Sequence, residues 1–159
     1  MMNNYQFDAL DHRILQELSV NARIAYSTLA EQLKVSNSLI HQRIKKLQES
    51  GVLEQPVYQL NSEILGYETS AFTQIMVSNV IFIADIIKAL EKIPEIVECV
   101  NIAGRYALIV RIHALNNTHL RDVIYDRIQP IKGIEGTNTT FAFETSFRRP
   151  ISVGKSMLK

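Results

Sequence analysis

From Lys34 to Lys46 the chain carries Ser36, Asn37, Ser38, His41, Gln42, Lys45 and Lys46, and no carboxylate at all. Hydroxyl, amide and imidazole groups hydrogen-bond to base edges, and lysines hold phosphates, so this mixture suits a surface that reads double-stranded DNA. An ordinary solvated helix face mixes acids with bases; here no acid appears between Glu31 and Glu49. Ser36 has a plainer use as a helix cap. Arg43 either reaches a phosphate or fastens its helix to neighbours. His41 has no histidine or acid four residues away, and His12, His113 and His119 are scattered. That excludes metal-ligand spacing, and no cofactor is expected. No nucleophile-base-orienter set or phosphate loop is present, so the chain does not read as an enzyme.

These side chains need a helix to display them. Ile40, Ile44 and Leu47 recur as one apolar stripe with Leu39 beside it, and at about 100° per residue Ser38, His41, Gln42 and Lys45 fall on the opposite side. Ser36 is the natural N-cap and Gly51 the stop. Upstream, Thr28 and Glu31 suggest a capping box for a short helix burying Leu29, Ala30 and Leu33, with Lys34 and Val35 as the connection. Asp8 caps a first helix carrying Leu10, Ile14, Leu15 and Leu18. A short helix, a tight turn and a longer amphipathic helix form a helix-turn-helix, whose second helix enters the major groove by its N-terminal half.

Pro56 marks a boundary, which divides the chain into a head at 1–55, a linker strand at 56–66 and a second domain at 67–159. Val57 to Leu60 reads as extended. Thr69 to Val77 is rich in strand formers, and Val80 to Ile93 is helical up to Pro94. Ile96 to Ala103 alternates, with Ile96, Glu98, Val100 and Ile102 on one face and Cys99, as a small core residue, on the other. A turn at Gly104 and Arg105 leads to a strand over Tyr106–His113. Thr118 caps a helix with Leu120, Val123, Ile124 and Ile128, and Thr139, Phe141, Phe143, Thr145 and Phe147 share one face of a last strand. The fold class is therefore α+β, a helix-turn-helix domain followed by a βαββαβ ferredoxin-like sandwich. Such a sandwich covers one sheet face with helices, and a homodimer would bury the other. Val80 to Ile83 is too apolar for one buried stripe; it is either a second interface or a packing corner.

With 159 residues and 47% hydrophobic side chains, the chain can bury a real core. No apolar run approaches the roughly 20 residues that cross a bilayer. The polar, acidic start predicts no secretory leader, and one cysteine makes no internal disulfide, so a cytoplasmic protein with no membrane contact is expected. The net charge of +1 is informative only in its distribution: a basic stretch at Lys34–Lys46, an acidic remainder, and a basic tail with Arg148, Arg149, Lys155 and Lys159.

Taken in order, LDHRILQEL (Leu10–Leu18), NARI (Asn21–Ile24), STLAEQLKVSNSLIHQRIKKLQESGVL (Ser27–Leu53), VECVNIAGRYALIVRI (Val97–Ile112) and IKGIEGTNTTFAF (Ile131–Phe143) resemble the Lrp/AsnC, or feast/famine, transcription regulators. The resemblance runs from about Phe7 to Phe147. It implies a DNA-binding head of winged-helix type, a linker strand, and a sandwich domain that senses a small effector, typically an amino acid, and pairs into homodimers that often build octamers. It also implies effector contacts at Gly104, Arg105 and Tyr106 and at Gly136, Thr137, Thr139 and Thr140. Glycine amides and threonine hydroxyls suit a carboxylate, and Arg105 could pair with one. The plainer alternative makes Gly104 a turn and the threonines β-formers.

Three departures from the family pattern stand out. Ala107 replaces the aspartate of the hairpin's Gly-x-aromatic-Asp motif, which removes the natural partner of an ammonium group and implies a different effector or none. Lys34 stands where the turn often has glycine, and Ala25 stands where a small polar cap is usual, leaving Ser27 or Thr28 to cap. Two other functions stay open on the sequence. One is a tetrapyrrole-processing enzyme of related architecture using Arg111 or His113; the other is an effector-independent DNA-binding or interaction protein.

Overall fold

Asp8 sits in an extended backbone conformation, and its side chain accepts from the Asp11 amide at 2.9 Å while Asp11 accepts from the Asp8 amide at 3.2 Å. This reciprocal box starts α1 (Ala9–Val20) in the computed structural model, which describes residues 6–153. Lys155 and Lys159 of the basic tail lie outside the described residues. After α1, α2 (Tyr26–Leu33) begins one residue after Ala25, which is extended and makes no side-chain capping bond. The expected cap at Ser27 or Thr28, with its Thr28–Glu31 box, is therefore corrected. Those residues lie within the helix, and a capping residue must precede it.

Lys34 closes α2 in the left-handed conformation (φ +57°, ψ +46°), with its amide donating to the carbonyls of Ala30 and Glu31. Ser36 caps α3 (Asn37–Glu49) by accepting from the Leu39 amide at 3.2 Å, and Gly51 at φ +73° ends it. Ile14, Leu29, Leu33, Ile40, Ile44 and Leu47 form the core of the three helices. No strand is formed between α3 and Thr69. A strand at the expected linker needs a hydrogen-bonding neighbour, and Val57, Tyr58 and Leu60 lie exposed without one among the described residues of this single chain.

The chain divides into two compact units, one holding the helices up to Gln59 with the segment from Arg148, the other Leu60–Phe147. In the second unit β1 (Thr69–Val77) is followed by a 3-10 turn (Val80–Phe82), α4 (Ile83–Leu90), β2 (Ile96–Asn101), β3 (Leu108–Ala114), α5 (Asn117–Asp122), a π-helical turn (Val123–Ile128) and β4 (Ile134–Ala142). The four strands pair antiparallel in the order β2-β3-β1-β4. Alternation in β1 buries Ala71, Thr73 and Ile75 against the helices, with Ile86, Leu90, Val110, Ile112, Leu120 and Ile128 completing the core. Phe82 packs on Gly133, where φ is +97° and a Cβ would come within 2.6 Å of the phenyl side chain. Val80 and Ile81 remain exposed.

Five local expectations change. The helix expected from Val80 starts as a 3-10 turn capped by Asn79, and Asn116 rather than Thr118 caps α5, accepting from the His119 amide. A bulge lies between Ile96 and Glu98, so Ile96 pairs with core-facing Ile112 while Glu98 pairs with Arg111. The extra residue flips the alternation, and Ile96 parts from Glu98 and Val100. Being at the sheet edge, β2 leaves Cys99 exposed rather than in the core. Finally, the last strand starts at Ile134 and ends at Ala142, so Phe143, Thr145 and Phe147 lie beyond it, with Phe143 fully exposed.

Candidate nucleic-acid interface and effector site

The apolar stripe of α3 is pinned into the head core, so its opposite side is necessarily the outer one. Asn37, Ser38, His41, Gln42, Lys45 and Lys46 are all exposed there. Ser38, His41, Gln42 and Lys45 share an arc of about 100°. Ser36, also exposed, is committed to its cap and lies 3.1 Å from the Ser38 hydroxyl. Lys45 has Glu49 at 3.8 Å, an exposed pair that competes little with a phosphate. His41 is braced by the Tyr26 ring, 4.8 Å away between centroids.

Arg43 is the cation that does not face outward. Its Nη1 donates to Asp8 Oδ2 at 2.6 Å and to Asp11 Oδ1 at 3.2 Å, tying α3 to the start of α1. Of the two roles open to it in the sequence, the geometry selects the fastening one. Burial opposes ionisation of Asp8, but the Asp11 amide and Arg43 outweigh it and hold the carboxyl below the usual range. The same pairing outweighs desolvation at Arg43 and raises its pKa.

The residues singled out for an effector fall into two groups. Gly104 (φ +131°), Arg105 and Tyr106 lie in the β2–β3 loop, closed by a bond from the Ile102 amide to the Ala107 carbonyl at 2.9 Å. Gly104 and Arg105 are exposed, and the Arg105 guanidinium is 5.9 Å from the Tyr106 ring centroid. Gly136, Thr137, Thr139 and Thr140 belong to β4, at the other edge of the sheet. Since β1 separates β3 from β4, the backbones of those two strands lie about 10 Å apart. Within one chain the structure does not bring them together.

Even the β4 residues divide. Thr137 and Thr139 stand opposite Ile75 and Thr73 on the helix side, whereas Thr140 stands opposite Phe72 on the other face. Gln129 Nε2 donates to Thr137 Oγ1 at 2.9 Å, and the hydroxyls of Thr73 and Thr139 bond at 2.9 Å. A groove of about 280 Å³ runs here, lined by Asn117, Arg121, Tyr125, Gln129, Thr137 and Thr139 among others. The sequence reasoning missed Asn117, Tyr125 and Gln129, because a strand edge and a π-helical turn meet there with no local motif. The face away from the helices carries Phe72, Val100 and Ile109 around Arg111, which is 9% exposed and donates to Thr145 Oγ1 at 2.7 Å.

Residues 7–54 match the winged helix-turn-helix DNA-binding family, and residues 70–151 match the Lrp/AsnC ligand binding domain. The chain is 30% identical over 150 residues to regulatory protein AsnC of Escherichia coli, covering 94% of this chain and 99% of that one. It is 33% identical over 132 residues to the transcriptional regulator FL11 of Pyrococcus furiosus, covering 83% and 86%. The solved structure of Escherichia coli AsnC superposes with a TM-score of 0.83 at 29% identity, over 92% of this chain and 99% of that chain. A Neisseria meningitidis transcriptional regulator solved with L-Met shares the fold, with a TM-score of 0.81 at 21% identity over 91% and 94% of the two chains.

Proposed function

Because the chain belongs to the Lrp/AsnC family of transcriptional regulators, we propose that it is a sequence-specific DNA-binding regulator that answers to a small effector, of the amino-acid class. One observation carries the DNA half. The outer face of α3 presents Asn37, Ser38, His41, Gln42 and Lys45 exposed, with no acid before Glu49 in its last turn, on a helix fixed in place by its core stripe and by Arg43. Asn37 and Gln42 read base edges, while Lys45 and Lys46 hold phosphates.

The relatives named above are regulatory proteins with a DNA-binding and a ligand-binding domain, and that supports the same division here. The L-Met bound to the Neisseria protein supports an amino-acid effector. The groove between Gln129 and the β4 threonines, with its hydroxyl and amide partners, is one candidate for the effector, and the separate loop at Gly104 and Arg105, with a cation for a carboxylate, is the other. The face bearing Phe72, Val100 and Ile109 suits pairing into a homodimer, with an octamer as the larger assembly. Such a protein acts where the chromosome is, in the cytoplasm, and among the described residues no helix is long and apolar enough to cross a membrane.

The test is duplex selection from a random pool, followed by affinities for the selected site and its base-pair variants. Asn37→Ala and Gln42→Ala should relax preference at particular positions, while Lys45→Ala should weaken all duplexes alike and lower the salt slope by about 0.9. A chain that binds no duplex, or variants that all behave alike, would refute the DNA reading. A thermal-shift panel of amino acids and 2-oxo acids tests the effector, since a ligand of the folded state raises the midpoint by mass action.

A further inference from the structure

Exposed polar side chains sample several rotamers, and fixing each one on binding costs affinity. On the outer face of α3, His41 has a neighbour that removes part of that cost. The Tyr26 ring lies 4.8 Å from the imidazole at an interplanar angle of 77°, an edge-to-face contact of the favoured kind. Tyr26 is the first residue of α2 and is half-buried against the head core. Leu29, Ala30 and Leu33 seat its helix in that core, so the ring is carried by a fixed element rather than by a loop.

We propose that Tyr26 is a positioning residue for DNA recognition. It holds the His41 imidazole in one orientation toward the groove and so sets the base preference opposite His41 without touching a base itself. The inference rests on the reading of α3 as the recognition helix. It differs from a phosphate contact in a measurable way: an uncharged ring acting through a neighbour changes discrimination between sequences and leaves the salt dependence alone.

The experiment is a double-variant cycle on the full chain with the duplex selected by the wild type. Affinities are measured for that site, its base-pair variants and an unrelated duplex, over a salt series. Tyr26→Phe should behave as wild type. Tyr26→Leu, which keeps an apolar side chain against the core, should lose about threefold to tenfold on the selected site, the cost of one freed side chain. That loss should fall at the base pairs that His41→Ala also relaxes. In the His41→Ala background Tyr26→Leu should change nothing further. Additive losses, a defect in Tyr26→Phe, or unchanged preference in Tyr26→Leu would each overturn the proposal. Ring-to-ring nuclear Overhauser contacts between Tyr26 and His41 in the unmodified protein give a check that does not depend on any variant folding, and their absence would equally overturn it. A wild-type chain that binds no duplex refutes the recognition-helix reading instead, so the two failures are distinguishable.

Discussion

Replacing Arg43 with glutamine separates the structural cation of α3 from its DNA-facing ones. The guanidinium, 26% exposed, bonds Asp8 at 2.6 Å and Asp11 at 3.2 Å. Asp8 is 48% exposed, so solvent screens that pair and it is worth less than about 1 kcal/mol. The Asp11 side chain is fully buried. Removing its cationic donor leaves a desolvated carboxylate with one partner fewer, at a cost of about 1–3 kcal/mol. The two contributions sum to about 1–4 kcal/mol in the head. At about 4–8 °C per kcal/mol for a small domain, the melting midpoint of the head should fall by at least about 4 °C, and by roughly 15 °C at the middle of that range.

The same variant has a pH signature. Asp8 has a depressed pKa in the folded chain. Its contribution is therefore fully present above the unfolded value of about 3.9 and is lost as pH falls through the lower folded value. Arg43→Gln should flatten the stability profile below about pH 4. Far-ultraviolet circular dichroism melts between pH 3 and pH 7 measure both effects, and anisotropy titrations over salt measure DNA binding below the melting transition. An unchanged midpoint together with a salt slope reduced by about 0.9 would mean that Arg43 holds a phosphate, and the fastening role would be wrong.

Lys34→Gly relieves a left-handed backbone that costs an L-residue roughly 1–2 kcal/mol, offset by roughly 0.5–1 kcal/mol of added unfolded-state entropy. The head should melt a few degrees higher, and a lower midpoint would contradict the assigned conformation. Glu95, 12% exposed, accepts from Arg127 at 2.6 Å and from His119 Nε2 at 3.2 Å, while His119 Nδ1 accepts from the Leu115 amide. Burial opposes its ionisation, but the backbone amide of Glu95 itself, then Arg127 and His119, outweigh that and lower its pKa. Glu95→Gln should therefore cost the sandwich about 1–3 kcal/mol at pH 7. The deficit should shrink as pH falls below about 4.3 through the folded value, and urea midpoints at the two pH values measure it.

The head was largely legible because its signals are local. Asp8, Ser36 and Gly51 act within four residues of their own positions, and the stripe Ile40, Ile44, Leu47 fixes by periodicity alone which side of α3 faces out. The miss at Ala25 follows from the same locality. Thr28 and Glu31 have the right spacing for a box, but the head core takes Leu29, Ala30 and Leu33 on a helix that already begins at Tyr26. Core packing then sets where the helix starts, and its first amides go without a side-chain partner from Ala25. Arg43 was ambiguous for the opposite reason, since its partners lie more than thirty residues away.

In the sandwich the order of strands and helices could be read, but the register could not. A bulge at Val97 inserts one residue between two pairs that otherwise alternate correctly, and nothing in IVECVN distinguishes it from a regular strand. One extra residue reverses every assignment on one side of it, which moves Ile96 to the core face while Glu98 and Val100 stay on the other. The effector residues suffer from the same blindness to topology. In the sequence Gly104 to Tyr106 and Gly136 to Thr140 are simply two polar clusters, and only the order β2-β3-β1-β4 shows that they flank opposite edges. The groove beside Thr137 depends further on Gln129, placed by a π-helical turn that widens the helix before Pro130. Helical periodicity predicts where an apolar stripe points. It does not predict where the helix loosens, and here that loosening sets a glutamine amide against a strand threonine.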